Sequence, residues 1–334
     1  MNDNIRYSIV IPVFNEEVVI SQTYQRLKQV MNTTKESYEL IFVNDGSSDR
    51  TLEAIKSIRD QDDAVKLISF SRNFGHQVAI TAGMDYASGA AVVVIDADLQ
   101  DPPELILELV SKWKEGYDVV YAKRTKRKGE TWFKKVTARL FYRILSASTD
   151  LDIPTDTGDF RLLDRRVCEE LKRLPEKNRY VRGLVSWVGF KQTAVEYERD
   201  ERLAGESKYP LRKMIKLSLD GITSFSYKPI KLATYAGSII LSSGLTYLVV
   251  LLLLKIFSKS VLAGWNLVLA MQLVLSGVLL TMMGVVGEYI GRIYDETRDR
   301  PLYIVNECYG LKKEENIVKD ERIVKKERNV KKVI

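Results

Sequence analysis

Two long uncharged stretches in the carboxyl-terminal half restrict what this chain can fold into more than any other feature of its sequence. Residues 232–254 and 260–287 hold 23 and 28 consecutive residues without a charged side chain. A helix needs about 20 apolar residues to cross a bilayer, and only a short loop separates the two stretches. They therefore predict an antiparallel transmembrane hairpin. The alternative is a pair of helices buried in a soluble core.

The charges beside this hairpin predict its orientation. Lys and Arg are frequent on both outer flanks, at residues 208–231 and 292–300, whereas the connecting loop offers only Lys255 and Lys259. Cytoplasmic segments of membrane proteins carry the excess of Lys and Arg. We therefore expect a multi-pass protein of the cell membrane with two spans, whose amino-terminal region and carboxyl-terminal tail both face the cytoplasm.

Four regions are expected along the chain. Residues 1–210 are expected to form a cytoplasmic domain with its own core, and residues 231–293 the hairpin. Residues 211–230 carry apolar side chains at helical spacing, which is typical of an amphipathic helix in the membrane interface, and an ordinary surface helix is the alternative. Residues 294–334 are expected to form a basic cytoplasmic tail near anionic lipid.

The amino-terminal region alternates β-rich and helix-compatible segments. The β-rich runs lie at residues 7–14, 38–44, 65–70, 90–95 and 118–121. This alternation predicts a parallel sheet with helices on both sides, and ligands of such sheets bind beyond the carboxyl ends of the strands. No Gly-x-Gly-x-x-Gly motif follows the first strand and no Walker motif occurs, which argues against a dinucleotide dehydrogenase.

The composition excludes further classes of site. The chain has two cysteines, Cys168 and Cys308, and one histidine, His76. These cannot form a zinc ligand set, and a mechanism that needs two histidines is ruled out. A lone histidine is more often structural than catalytic, so His76 is assigned no role.

Acidic residues close the fourth predicted strand. Asp96 and Asp98 stand there two residues apart, and Gln100 follows them. Carboxylate and amide oxygens are hard ligands that suit Mg²⁺ or Mn²⁺, whereas polar turn residues are the plain alternative. Asp101 precedes Pro102 and is expected to cap the helix that follows.

A basic stretch at residues 123–143 holds nine Lys and Arg against one acidic residue, with aromatic side chains between them. A solvated helix, a segment on an anionic membrane surface and a grip on a lipid phosphate all fit this pattern. Nucleic acid is bound by similar patches, but the expected spans hold the domain against a membrane. We therefore expect no nucleic-acid partner.

Five segments occur in order along the chain: IPVFNE at 11–16, NDGSSD at 44–49, SRNFG at 71–75, DADLQDPPE at 96–104 and TGDFRL at 157–162. Together they resemble the segments of the family 2 inverting glycosyltransferases that act on polyprenyl phosphate. Within the family, the chain is most similar to the bactoprenol glucosyltransferases and the dolichol-phosphate mannosyltransferases, over about residues 6–300. The resemblance implies a Rossmann-like mixed sheet of the nucleotide-sugar transferase (GT-A) type.

The resemblance also implies a role for each matching residue. The expected donor-binding residues are Pro12, Phe14, Glu16, Asp45, Asp96, Arg202 and Lys208. Asp45 is the one expected to read uracil, and Arg202 and Lys208 to steady the leaving phosphates. The metal, Mg²⁺ or Mn²⁺, is expected on Asp96, Asp98 and Gln100. The acceptor phosphate is expected to meet Arg124 and Arg139, and the implied catalytic residues are Asp159, as a base, and Asp98.

The chemistry of the implied acceptor bears on Asp159. A phosphate monoester has a second pKa of about 6, so it is largely ionised at neutral pH and scarcely needs a base before it attacks. We therefore predict that Asp159 acts in part by orienting the basic acceptor site.

The implied activity is transfer of a hexose from UDP-glucose or UDP-N-acetylglucosamine to undecaprenyl phosphate, with inversion, on the cytoplasmic membrane face for cell-envelope glycosylation. The product would pass to a flippase and an extracytoplasmic transferase, and the resemblance suggests a homo-oligomer. One alternative is a processive polysaccharide synthase of the same fold, although its Gln-x-x-Arg-Trp motif is absent. The other is a membrane scaffold without catalytic activity.

Overall fold

The computed structural model describes residues 5–126, 157–198 and 265–311, together with residues 239 and 246. The strands are β1 (Tyr7–Val13), β2 (Tyr38–Asn44), β3 (Val65–Phe70), β4 (Ala91–Val94), β5 (Val119–Lys126), β6 (Thr157–Asp164), β7 (Gln192–Glu198) and β8 (Val305–Tyr309). The helices are α1 (Ile20–Thr33), α2 (Thr51–Arg59), α3 (His76–Tyr86), α4 (Leu105–Lys114), α5 (Arg165–Arg173), α6 (Val181–Trp187) and α7 (Trp265–Thr297).

All eight strands form one mixed sheet in the order β7-β5-β6-β4-β1-β2-β3-β8. The four central strands β4, β1, β2 and β3 are parallel, as their alternation with helices predicts. Two strands run against their neighbours, since β6 is antiparallel to β4 and β5, and β8 is antiparallel to β3. The fully parallel sheet predicted from alternation is therefore wrong, and the mixed sheet implied by the resemblance is confirmed.

The reversed direction of β6 brings distant residues to one edge of the sheet. Arg161 of β6 pairs with Val94 at the end of β4, so the start of β6, with Asp159, lies beyond the carboxyl end of β4. Thr157 pairs in turn with Lys123 of β5, which brings Arg124 to the same edge. Loops at this edge are where parallel sheets bind ligands.

Hydrophobic cores cover both faces of the sheet. Ile9 and Ile11 of β1 belong to one core and Val10 to the other, and all three are fully buried. This explains why β1, apart from Ser8, is apolar on both faces instead of alternating. Burial of each such side chain stabilises the fold by about 1.5–3 kcal/mol.

Helix α3 crosses β1 closely at Gly83. A Cβ atom at this position would overlap the Val10 side chain. We expect Gly83→Ala to lower the free energy of unfolding by about 1–3 kcal/mol through overpacking. Urea denaturation followed by circular dichroism measures this, with Ser57→Ala on the exposed face of α2 as the control, expected within about 0.5 kcal/mol of wild type. Equal stability of the two variants would contradict the close crossing.

The membrane-facing expectations fall largely outside the described residues. The first uncharged stretch, apart from residues 239 and 246, and the helix expected at residues 211–230 lie there. The second stretch falls mostly on α7, a helix of 33 residues. Among the described residues, no helix has the length and hydropathy needed to span a bilayer. The hairpin therefore stays a prediction.

Part of the segment expected as a tail belongs to the folded domain. After α7 the chain returns to the sheet, where β8 pairs with β3 through Leu67↔Tyr309 and Ile68↔Cys308. The sheet thus ends on a strand that is more than 230 residues from its partner in sequence.

Candidate active site

The loops after β1 and β2 are bonded to each other at the carboxyl edge of the sheet. The backbone N–H of Asn15 donates to Ser47 Oγ at 3.0 Å, and the Asn15 side-chain oxygen accepts from the N–H of Ser48 at 2.8 Å. Asn15 has a φ of 53°, a left-handed conformation that asparagine tolerates well. Its neighbours Phe14, whose ring is exposed, and Glu16 are thereby held beside the end of β2.

Asp45 is buried directly after β2 and is turned toward the loop that follows β3. Its carboxylate accepts hydrogen bonds from the N–H groups of Phe74 at 2.6 Å and Gly75 at 3.0 Å. The side-chain amide of Asn73 donates to the Asp45 carbonyl at 3.2 Å. The residue expected to read uracil thus also ties the loops after β2 and β3 together.

Of the two carboxylates after β4, that of Asp96 is only partly satisfied by the described residues. Asp96 Oδ1 is buried, and no hydrogen bond to it is found among the described residues. Within the described part of the chain, the cationic atom nearest to it is His76 Nε2 at 3.4 Å. Asp98 Oδ1 accepts from the N–H of Gln100 at 3.1 Å, and Leu99 between them has a φ of 55°. The chain therefore turns sharply where the metal ligands are expected.

These residues fit a divalent cation. Burial raises the pKa of Asp96 to about 6, although His76 opposes the shift, and repulsion from Asp159 and Asp98 adds to it. A bound cation would relieve this repulsion and supply a partner for Asp96 Oδ1. Within the described ranges, no group of three His, Cys, Asp or Glu side chains is arranged so that it could hold a metal ion alone. Mg²⁺ needs only one or two protein carboxylates when substrate phosphates complete its shell.

Asp159 lies opposite these carboxylates and is held by two cations. Arg182 donates to it through both sides of its guanidinium, from Nε to Oδ1 at 2.8 Å and from Nη2 to Oδ2 at 3.0 Å. His76 Nε2 lies 3.3 Å from Oδ2, so one imidazole bridges Asp159 and Asp96. Gln77 adds a donor to Oδ2 at 3.2 Å. Asp159 is 7% exposed.

The first turn of α6 is fixed by α3. Gln77 of α3 accepts the N–H of Val181 through its side-chain oxygen at 3.0 Å while its amide donates to Asp159. This places Arg182 against Asp159. Arg161 is buried on the same face of β6, donates from Nη2 to the Gly158 carbonyl at 2.9 Å, and adds a second guanidinium near the carboxylate.

Arg124 reaches the start of β6 from β5. Its Nε donates to the Tyr197 hydroxyl at 3.0 Å, and Nη2 lies 3.4 Å from Asp101 Oδ2. The Tyr197 hydroxyl in turn donates to Asp101. A Cβ on Gly158 would lie 2.6 Å from Arg124 Nη2, so only glycine leaves room for this guanidinium on the face of β6 opposite the Asp159 side chain. The expectation that Asp101 caps α4 is wrong, because no side chain caps that helix.

Of the remaining expected site residues, one is buried in the sheet and three lie outside the described residues. Pro12 is buried within β1. Arg139, Arg202 and Lys208 lie outside the described residues. Their roles stay predictions.

Sequence comparison identifies the family. The family described as "Glycosyl transferase family 2" matches residues 8–172. The "Uncharacterized glycosyltransferase YkcC" of Bacillus subtilis (strain 168) is 67% identical over 314 residues, which are 94% of this chain and 97% of that protein. The chain belongs to glycosyltransferase family 2.

This glycosyltransferase is also similar to a second relative and to a solved structure. The "Prophage bactoprenol glucosyl transferase homolog" of Escherichia coli (strain K12) is 41% identical over 300 residues, covering 90% of this chain and 98% of that protein. Among solved structures, glucosyl-3-phosphoglycerate synthase from Mycobacterium tuberculosis, in complex with Mn²⁺, UDP-glucose and phosphoglyceric acid, has a TM-score of 0.42 and 19% identity over 64% of this chain and 76% of its own.

The electrostatics of the glycosyltransferase site keep Asp159 ionised. Burial alone would raise the pKa of Asp159, but the Arg182 charge and the hydrogen bonds from His76 and Arg182 hold it well below its usual range. A carboxylate with so low a pKa is a weak proton acceptor near neutrality. The contacts with Arg182 and His76 are what this carboxylate provides in the structure, and its orienting role stays a prediction.

His76 makes the stability of the enzyme depend on pH. Burial alone would lower its pKa, but Asp96 and Asp159 raise it from 6.5 to about 9. Because the folded pKa is raised, the stabilisation is complete below pH 6.5 and is lost as the pH rises through about 9. We expect EDTA-treated enzyme to lose unfolding free energy across this interval, and His76→Asn to remove that loss. The urea midpoints of wild type and His76→Asn, measured at several pH values, test this. The prediction is wrong if the two midpoints change with pH in parallel.

Sequence reasoning missed most of the residues that surround Asp159. His76 follows the SRNFG segment directly, and its position at a strand's polar end was the signal available for it. Gln77 stands beside it. Arg182 gave no signal, since it occurs in an ordinary basic stretch and meets Asp159 only because α6 packs beside β6.

Proposed function

We propose that this glycosyltransferase moves a hexose from UDP-glucose or UDP-N-acetylglucosamine to undecaprenyl phosphate, with inversion, for cell-envelope glycosylation. The observation that carries the proposal is the 41% identity to a bactoprenol glucosyl transferase homolog across 98% of its length. The arrangement of the site supports it. Asp96, a carboxylate suited to a metal diphosphate, is joined through His76 to Asp159 and its Arg182 guanidinium, a cationic group suited to a phosphate.

The donor side lies at the ends of β1, β2 and β4. The exposed Phe14 ring offers a stacking surface for a nucleobase. Asp96, Asp98 and Gln100 would hold Mg²⁺ or Mn²⁺. When bound, such an ion neutralises the charge that develops on a departing nucleoside diphosphate.

The acceptor side lies around Asp159. Arg182 brings a guanidinium group to Asp159 from α6, and Arg124, which lies beside Gly158, would meet the phosphate from β5. Guanidinium matches phosphate geometry. A polyprenyl phosphate is already largely ionised at neutral pH, so its oxygen attacks the sugar without first losing a proton to Asp159. One direct displacement from the face opposite the leaving diphosphate inverts the anomeric centre. Asp159 positions Arg182 for this step.

The proposal includes attachment to the cell membrane with the catalytic domain and tail in the cytoplasm. The two uncharged stretches and the basic flanks support it. So do exposed apolar side chains along α7, including Val268, Leu279 and Met283. Such an enzyme would work as a homo-oligomer and hand its lipid-linked sugar to a flippase and an extracytoplasmic transferase.

A transfer assay tests the proposed function. The full chain in membranes is incubated with undecaprenyl phosphate and a panel of radiolabelled nucleotide sugars, with Mg²⁺, Mn²⁺ or EDTA. We expect label from a UDP-hexose in the lipid extract with either metal and none with EDTA. Inversion is read from the anomeric configuration of the product by NMR. Label in a polymer would indicate the processive synthase instead, and no transfer from any donor would indicate the scaffold.

A further inference from the structure

The segment between α7 and β8 contacts the loop after β3 and helix α3, in addition to pairing with the edge of the sheet. Its path is fixed at both ends. At the end of α7, Glu296 Oε1 accepts the N–H of Lys177 at 2.7 Å, and farther on the Ile304 carbonyl accepts the N–H of Ser71 at 3.0 Å. Between these points lies Tyr303, whose side chain is half-buried.

Tyr303 forms one end of a stack of three aromatic rings. Its ring lies parallel to that of Phe70, with centroids 5.1 Å apart and an interplanar angle of 20°. Phe70 in turn meets Phe74 edge-to-face, with centroids 5.6 Å apart at 86°. Offset-stacked and edge-to-face geometries are the favoured arrangements of aromatic pairs. Phe70 ends β3 and Phe74 lies in the following loop, so the stack braces this loop against the return segment.

The braced loop is the one that holds Asp45. The N–H groups of Phe74 and Gly75 donate to the Asp45 carboxylate. A Cβ on Gly46, which has a φ of 67°, would lie 2.5 Å from the Arg72 carbonyl carbon. The loops after β2 and β3 are therefore in contact along their backbones, and a shift of one must move the other.

Tyr303 also braces the helix that follows this loop. Its hydroxyl donates to Asp85 Oδ2 near the end of α3 at 3.1 Å. The same helix begins at His76, which contacts Asp96 and Asp159. The Tyr303 side chain thus supports the loop after β3, on the donor side. It also contacts α3, whose His76 lies between Asp96 on the donor side and Asp159 on the acceptor side.

We propose that Tyr303 is a positioning residue of the donor site, which holds the loop of residues 71–75 against Asp45 through the Phe70–Phe74 stack. The ring supplies the brace, and the hydroxyl contributes a second attachment. The end of α7 is in this way connected to the nucleotide side of the site. The donor part of this inference rests on the proposed function, whereas the brace itself does not.

Hydrogen exchange measured by NMR or mass spectrometry tests the brace without any substrate. The full chain is compared with Tyr303→Ala, Tyr303→Phe and Tyr309→Ala, the last being a control on β8, the strand that follows Tyr303, with an exposed ring. We expect Tyr303→Ala to speed exchange of the Phe74 and Gly75 amides about tenfold or more, because loss of the stack opens the loop. Tyr303→Phe keeps the stack and is expected to rescue most of this protection. Exchange in β1 stays at the wild-type rate.

Steady-state kinetics then test the donor part. We expect Tyr303→Ala to raise KM for the UDP-sugar about tenfold while kcat and KM for the acceptor change less than about threefold. The ring contacts support the loop on the nucleotide side, whereas the hydroxyl meets α3 at Asp85, at the end of the helix away from His76. Unchanged exchange of residues 71–75 in Tyr303→Ala would overturn the brace. Faster exchange with an unchanged donor KM would overturn the positioning role. Failure of the wild-type enzyme to transfer from any UDP-sugar would overturn the proposed donor and leave the exchange result to decide the brace.

Discussion

Asp98→Asn is expected to lower kcat/KM for sugar transfer by about a thousandfold or more. Stabilisation by a divalent cation contributes several kcal/mol to a transition state that develops negative charge, and each 1.36 kcal/mol is about a tenfold change in rate. Asparagine keeps the size of Asp98 and an oxygen that can accept the Gln100 N–H. Asparagine removes the charge that a cation needs. The loss of kcat/KM therefore reflects loss of metal binding and not a change in the turn at residues 98–100.

Glu104→Gln is the matched control for this variant. Glu104 lies in the same DADLQDPPE segment, but its carboxylate pairs with Arg26 at 2.8 Å on the surface. A surface ion pair contributes at most about 1 kcal/mol to stability, so the activity is expected to stay within about twofold of wild type. Mn²⁺ binding in the presence of UDP, followed by calorimetry, should be lost in Asp98→Asn and retained in Glu104→Gln. An Asp98→Asn enzyme with wild-type Mn²⁺ affinity would refute Asp98 as a ligand.

Asp159→Asn is expected to lower kcat about a hundredfold at every pH from about 6 to 9, because misplacing a group in the site by about 1 Å has an effect of this size. The amide cannot hold Arg182 through two charged hydrogen bonds. The acceptor phosphate supplies its own anion, so raising the pH offers no replacement for the missing carboxylate. The pH profile of kcat for wild type and variant is the measurement. Recovery of full activity at high pH would show that Asp159 is a base.

A double-mutant cycle separates orientation from stability. Arg182→Met leaves Asp159 as a buried carboxylate without its main partner, and we expect it to lower the free energy of unfolding by about 3–5 kcal/mol. Adding Asp159→Asn removes the unpaired charge and should recover part of that stability. Because the two residues act as one unit, the double variant is expected to be little less active than either single variant. Fully additive losses would contradict a shared role.

Much of the central sheet could be predicted from the sequence. Strands β2 and β3 have the predicted bounds, β1 is one residue shorter than predicted at its end, and β4 is one residue shorter at each end. Runs buried on both faces must be continuously apolar, so the pattern along the chain carries the prediction. The expectation of ligand-binding residues after these strands has the same basis, since chain direction alone places their ends together.

The antiparallel strands could not be predicted in this way. Strand β8 lies in a segment expected to be a tail, because five residues of mixed character carry no periodic signal. Its partner β3 is close only once the chain after α7 has folded back. Asp101 shows the same limit, since its helix-capping pattern is local while its actual partners Arg124 and Tyr197 come from β5 and β7.

The sequence by itself determined the family, the central strands and the carboxylates at their ends, because these depend on residue order and on spacing along one strand or turn. Only the tertiary structure decided that Arg182, His76 and Gln77 converge on Asp159, and that Tyr303 contacts the loop that holds Asp45. The physical reason is that a buried charge takes its partners from whichever elements pack around it. Which elements those are depends on the packing of β6, α3, α6 and the return segment, and no local pattern encodes it.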